Sequence, residues 1–350
     1  MGPRGATIIV LAVFMASLAG CGGGSKTTTT TAESGAKQVT ACLVTDIGGL
    51  NDRGFNHLAY LGLQRAGRQL GVGTKVLVSK SSNDYIPNFQ TCVRQGYDLV
   101  IGVGFLMEPS IQQMARRYPG TKWAGVDMNA KTDFSKGGIT PNFEGLIFAE
   151  NEAGYEAGYL AALMARNDHG GTVSSVGGIP VPAVVRYIAG YQAGAKRAVR
   201  GIHLINGYSQ DFVAQDKCKS IALDQIAKAS KVVFQVAGGC GLGVLDAAKE
   251  KNVLGIGVDA DQAYVNNRVL TSALKKVDVA VFTAIARVKT GNFAGGDNLL
   301  FDAANGGVGL GRINAAVPAG ILARTRAIAR LVAHGTIVPP VQCPAPNPNC

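Results

Sequence analysis

The chain has 350 residues, 47% hydrophobic and 16% charged, with 34 basic against 23 acidic residues and a net charge of +11. That length is too great for one core and suits two domains, and beyond the N-terminus no long apolar run interrupts a globular composition. The basic excess alone would suit nucleic acid as a partner, but its placement argues against that. Lys and Arg are scattered, without basic runs or interleaved aromatics, and suit a surface beside anionic lipid or cell wall.

Residues 1–20 predict an export signal. Met1 and Arg4 open it, and the apolar run Ala6–Met15 is shorter than the roughly 20 residues that a spanning helix needs. Leu18-Ala19-Gly20-Cys21 resembles a bacterial lipobox, so Cys21 is expected to carry lipid and to begin the mature chain. The alternative is an ordinary secretory signal with an incidental cysteine. Residues 21–37, with three glycines and five threonines in succession, predict a flexible polar tether. The rest is expected to work on the extracytoplasmic face of the cell membrane.

From Val39 the pattern becomes strand–helix alternation. Strand-like runs cover Val39–Thr45, Lys75–Ser79, Leu99–Gly104 and Trp123–Asp127, then Thr172–Gly177, Ile202–Asn206, Val232–Val236 and Val253–Val258. Helical stretches include Phe55–Leu70, Glu152–Arg166, Ala183–Val199 and Ala214–Ala229. Continuous apolar strands separated by helices imply buried parallel sheets with right-handed crossovers. The fold class is α/β, with two doubly wound lobes. Val269–Leu274, Val277–Val288 and Ala319–Ala333 are the wrong length for a third domain and are expected to cross back. The expected division is 38–148 plus 271–305 for the N-terminal lobe and 149–270 plus 306–338 for the C-terminal lobe. A Pro-rich tail follows over 339–350.

Besides Cys21, six cysteines remain: Cys42, Cys92, Cys218, Cys240, Cys343 and Cys350. An even number in an exported chain suggests disulfides, and nearest-neighbour pairing is the expectation (42–92, 218–240, 343–350). Metal binding is not expected, because no C-x-x-C occurs and the four histidines lie far apart. Gly239-Cys240-Gly241-Leu242-Gly243 lacks the spacing of a dinucleotide loop, and no nucleotide-binding or hydrolase motif occurs. No cofactor and no catalysis are expected.

Ligands of open α/β sheets bind outside the carboxyl ends of strands. Asp46, Asp127 and Asp259 stand at such ends, although a single Asp there often caps a helix. Phe55 and Asn56 open the first long helix, and Asp52 is placed to cap it. The segment Thr45–Asn56 resembles the basic membrane protein family of ABC-transporter substrate-binding lipoproteins. The resemblance continues through Ile101-Gly102-Val103-Gly104-Phe105, Gly125-Val126-Asp127, Gly154-Tyr155, Gly177-Gly178-Ile179-Pro180 and Ala237-Gly238-Gly239. It ends with Gly257-Val258-Asp259-Ala260-Asp261-Gln262 and Thr271-Ser272 with Lys275, covering roughly residues 38–320.

The resemblance implies a type I periplasmic-binding-protein-like fold that closes by a hinge on a purine nucleoside (guanosine, inosine or adenosine). Phe55 and an aromatic of the other lobe would sandwich the base, with Asp46 and Asp127 on its polar edge. Asp259 and Lys275 would hold the ribose, and Gly239 would offer backbone. The second aromatic is expected at Phe212, with Tyr208 the competitor. Cys240 stands where the family usually has threonine, and either tunes contacts or pairs with Cys218. The implied partners are an ABC permease and the membrane, through the lipid anchor, and the protein is expected to be a monomer. A sugar or other small polar solute is the alternative ligand, and a surface signalling or adhesion lipoprotein the alternative role.

Overall fold

Apolar runs flanked by glycine set the strands, and the computed structural model describes them over residues 38–132 and 140–343. The signal, Cys21 with its tether, and the end of the Pro-rich tail lie outside the described residues. The first lobe builds in order β1 (Thr40–Thr45), α1 (Phe55–Leu70), β2 (Gly73–Leu77), α2 (Tyr85–Arg94), β3 (Leu99–Val103), α3 (Glu108–Arg117), β4 (Lys122–Val126) and β5 (Phe143–Phe148). The second follows as α4 (Glu150–Asn167), β6 (Thr172–Gly177), α5 (Pro182–Ala198), β7 (His203–Tyr208), α6 (Gln215–Ala227), β8 (Ser230–Val236), α7 (Leu242–Glu250), β9 (Leu254–Asp259) and β10 (Val269–Lys275). The chain then alternates between lobes through α8 (Val277–Lys289), β11 (Asn298–Phe301), β12 (Val308–Leu310) and α9 (Ala319–Ala333).

Among the described residues two six-stranded sheets form, ordered β11-β5-β4-β3-β1-β2 and β12-β10-β9-β8-β6-β7. All recorded pairings are parallel except β10 with β12. Continuous burial of Ala41–Thr45 and Leu99–Val103 reflects helices on both faces of the sheet. Three segments join the lobes: β5 to α4, β10 to α8, and β11 to β12.

The lobe boundary expected at residue 271 requires correction. β10 lies in the second sheet, in parallel register with β9 through Ser272↔Gly257 and Leu274↔Asp259. The return to the first lobe therefore comes after Lys275, where α8 packs on α1. β5 is an element the sequence did not signal. Glu144 and Gly145 break its apolar pattern, yet Glu144 is buried and receives Arg287 Nε at 3.1 Å.

Cys42–Cys92 ties β1 to α2, and Cys218–Cys240 ties α6 to the turn before α7, as nearest-neighbour pairing expects. On a chain-entropy account, loops of 50 and 22 residues make these bonds worth about 3–4 kcal/mol each. The Cys343–Cys350 expectation falls on Cys350, outside the described residues.

The second lobe depends on close approach of α4 and α5. Gly154 and Gly158 on one helix face Gly190 and Gly194 on the other, and each leaves room only for opposing backbone. A Cβ at Gly158 would lie 1.9 Å from the Tyr191 carbonyl oxygen, and one at Gly194 would lie 1.9 Å from that of Tyr155. Gly158→Val is expected to destabilise the protein by about 3 kcal/mol and lower its thermal midpoint by roughly 6–12 °C. Gly320→Ala, in open space on α9, should leave the midpoint unchanged or slightly raised. Differential scanning calorimetry of the two variants checks the contrast.

Candidate functional site

Both sheets reverse their strand order, between β1 and β3 in one and between β6 and β8 in the other. Crevices open at such reversals, at the carboxyl ends of the strands. Here the two crevices face each other and enclose a void of about 620 Å3, counted to its open mouth. Asp46, Phe55 and Asp127 line it from the first lobe; Phe212, Gly239, Asp259 and Lys275 line it from the second. All seven residues singled out in the sequence thus meet in one cleft. Tyr208 is not among the lining residues. Its ring packs at Gly177, where a Cβ would lie 2.5 Å from it, so geometry favours Phe212 as the aromatic facing the void.

Local backbone chemistry aims these groups. Asp127 and Asp259 hold left-handed conformations, φ 66° and φ 61°, at the ends of β4 and β9. Asp tolerates this region better than most residues, and the bend turns its side chain off the sheet into the cleft. Asp52 accepts from the backbone N–H groups of Gly54, Asn56 and His57, which caps α1 and fixes Phe55 at its first turn. Glycine then makes room for the rings. A Cβ at Gly104 would lie 3.3 Å from the Phe55 ring and one at Gly178 would lie 2.4 Å from the Phe212 ring.

The lobes also touch across the mouth. Gln262 Nε2 donates to the Arg53 carbonyl at 3.4 Å, and Gly54 lies close to Val258 and Asp259. Gln235 Nε2 holds Gln262 Oε1 at 2.8 Å, which fixes the second lobe's side of this contact.

The cleft holds four carboxyl groups, Asp46, Asp52, Asp127 and Asp259, and one ammonium. Burial pushes Asp46 up to about 6, despite hydrogen bonds from Gly48 and Asn56. Burial likewise pushes Asp259 up to about 7, with Lys275 opposing the shift and the neighbouring acids adding to it. Lys275 is only 1% exposed, and burial by itself disfavours its charged form. Asp127, Glu150 and Asp259 outweigh that effect and keep it charged. Its Nζ lies 2.6 Å from Asp127 Oδ1 and 2.9 Å from Glu150 Oε1. Arg186 Nε donates to the other oxygen of Glu150 at 2.6 Å. Burial would raise Glu150 too, but Lys275 and Arg186 hold it below the usual carboxylate range.

One buried acceptor facing the cleft, Asn56 Oδ1, lacks a hydrogen bond from any described residue. Asp127 Oδ1 is held by the Lys275 ammonium at 2.6 Å. An ammonium carries three N–H groups, so Lys275 can still donate into the void. The arrangement offers acceptors, a donor and two apolar rings to a neutral, polar, flat molecule. An added anion would face four carboxyl groups.

Sequence reasoning missed Glu150, Tyr187 and Arg186. Glu150 is fully buried at the first crossing between lobes, and Tyr187 OH reaches Asp259 Oδ1 at 3.4 Å. Tyr187 sits mid-helix at ordinary core spacing and gives no local signal. An acid opening a largely apolar helix was the one available hint for Glu150.

A family model described as ABC transporter substrate-binding protein PnrA-like matches residues 39–321. The nucleoside-binding protein BmpA of an ABC transporter from Lactococcus lactis is 34% identical over 79% of this chain and 82% of its own length. An uncharacterised lipoprotein of Pyrococcus horikoshii is 32% identical over 82% of this chain and 72% of its own. Among solved structures, an ABC transporter solute-binding protein from Aeropyrum pernix superposes with a TM-score of 0.77 at 24% identity, covering 86% of this chain and 94% of that one. That last likeness supports the two-lobed, periplasmic-binding-protein-like fold alone. By the extent of the family match, this chain belongs to the Bmp family of PnrA-like ABC transporter substrate-binding proteins.

Proposed function

We propose that this protein captures a purine nucleoside between its lobes and delivers it to an ABC permease, held to the membrane through lipidated Cys21. The observation that carries the reading is the pair of rings, Phe55 and Phe212, presented by opposite lobes to one carboxyl-lined void. Stacking a base on an aromatic contributes on the order of 1–3 kcal/mol. Buried carboxylates accepting N–H or O–H groups add charge-assisted bonds of roughly 1.5–3 kcal/mol each. Contacts from both lobes exist only when the cleft is shut, so the ligand draws the population toward closure. A nucleotide phosphate would add negative charge beside four acids and is disfavoured. The relative named as a nucleoside-binding protein supports the same ligand class.

Calorimetric titration with guanosine, inosine, adenosine and their 5′-monophosphates tests this. At least one nucleoside should bind, and its monophosphate should bind at least about tenfold more weakly. Phe55→Ala, Phe212→Ala and Asp127→Ala should each weaken nucleoside binding by about tenfold or more, whereas Tyr208→Phe should not. A sugar, rather than a nucleoside, released from the denatured protein and identified by mass spectrometry would overturn the ligand assignment.

The acids also set a pH signature. Asp46 and Asp259 hold protons in the fold that an unfolded chain releases near pH 4. Their contribution to stability is therefore complete below that pH and is lost as pH rises through about 6 to 7. The thermal midpoint of the unliganded protein should fall between pH 5 and 8, and Asp259→Asn should flatten the slope. Nucleoside affinity should rise over the same interval, because the ionised carboxylates are the better acceptors. Parallel thermal and binding titrations would show the two opposed slopes.

A further inference from the structure

A second void, sharing no lining residue with the cleft, opens between α4, the segment from β12 to Val317, and α9. It measures about 1000 Å3 to its open mouth, and Leu310, Ile313, Val317 and Leu322 give it apolar walls. Among them stands Glu156 of α4, only 3% exposed. No described residue hydrogen-bonds or ion-pairs with its carboxyl group. Thr325, the nearest hydroxyl in the lining, donates instead to the Ile321 carbonyl at 2.9 Å.

Arg312 and Arg326 also line the void, and both are exposed. The acid recorded beside Arg312, Asp261, is 4.0 Å away, and Arg326 has no acidic partner among the described residues. Polarity is thus divided, with one buried acid inside an apolar crevice and two cationic groups at its exposed border.

We infer that this crevice is a binding site for a short amino-carboxylate, its ammonium inward on Glu156 and its carboxylate outward on Arg312 and Arg326. The ammonium would supply the partner that the carboxyl group lacks, in a charge-assisted bond made stronger by exclusion of water. An apolar stem would cover the aliphatic walls, and the ligand's own anion would meet the arginines. Burial, with Glu152 one turn earlier adding to it, pushes Glu156 up to about 8. Left alone, the group is therefore mostly neutral. A purely anionic ligand would gain no ion pair inside the crevice, and a purely cationic one would face both arginines.

Calorimetry of the full-length protein with 6-aminohexanoate, hexanoate and n-hexylamine tests the assignment. 6-Aminohexanoate should bind with a Kd below about 1 mM, and each single-charge analogue at least about tenfold more weakly. Glu156→Gln should cost at least about tenfold in affinity for 6-aminohexanoate, and Arg326→Ala a smaller factor. Glu156→Leu should abolish that binding while raising the thermal midpoint, because it replaces an unpaired buried acid by a side chain that fits the walls. No binding of 6-aminohexanoate up to about 10 mM would overturn the inference. So would equal binding of hexanoate, or binding that Glu156→Gln leaves unchanged.

Discussion

Lys275 carries a full charge into a place almost without water, and its surroundings are arranged to hold it there. The residue ends β10, the last strand before the chain returns to the first lobe. Its ammonium reaches Asp127, from the end of a first-lobe strand, and Glu150, which opens α4 just after the first crossing. Arg186 balances the second acid, and the rings of Phe55 and Phe148 lie 5.1 and 4.8 Å from the ammonium. Two acids and two bases thus form a nearly neutral group at the base of the cleft. Removing one member of such a buried set exposes its partners' uncompensated charge, at a typical cost of about 3–5 kcal/mol. The crossings, the floor of the cleft and the orientation of Asp127 all depend on it.

The same balance shapes what the cleft accepts. With Lys275 already engaged by two carboxylates, it does not act as a free cation for an incoming anion. Of the remaining acids, Asp52 is taken up by backbone N–H groups at the start of α1, and burial raises Asp46 and Asp259 to about 6 and about 7. The cleft is therefore rich in hydrogen-bonding oxygens without presenting a large net field. That suits an uncharged molecule with several donors and a flat apolar face.

Much of this was legible in the sequence, for physical reasons that differ by residue. Strands such as Leu99–Val103 are buried on both faces and read as continuous apolar runs. Asp46, Asp127 and Asp259 were visible because three acids recur at equivalent strand ends in the two series, which helix capping at one of them would not explain. β5 was hidden because its buried Glu144 looks like a surface residue until Arg287, 143 positions later, is brought beside it. The assignment of β10 depended on its register with β9, which no local pattern encodes. Glu150 and Tyr187 were missed for the same cause, since their partners lie 125 and 72 residues away.

The alternation of the chain between lobes bears on when either lobe can form. The first sheet lacks its edge strand until β11 at Asn298–Phe301 is available, and α1 lacks its neighbour until α8. The second sheet waits for β12, and α4 waits for α9, which ends at Ala333. A polypeptide emerging N-terminus first thus stays short of a complete core on either side until nearly all of it has appeared. Late closure of this kind ties the two lobes into one folding event, because the last elements to appear complete both of them.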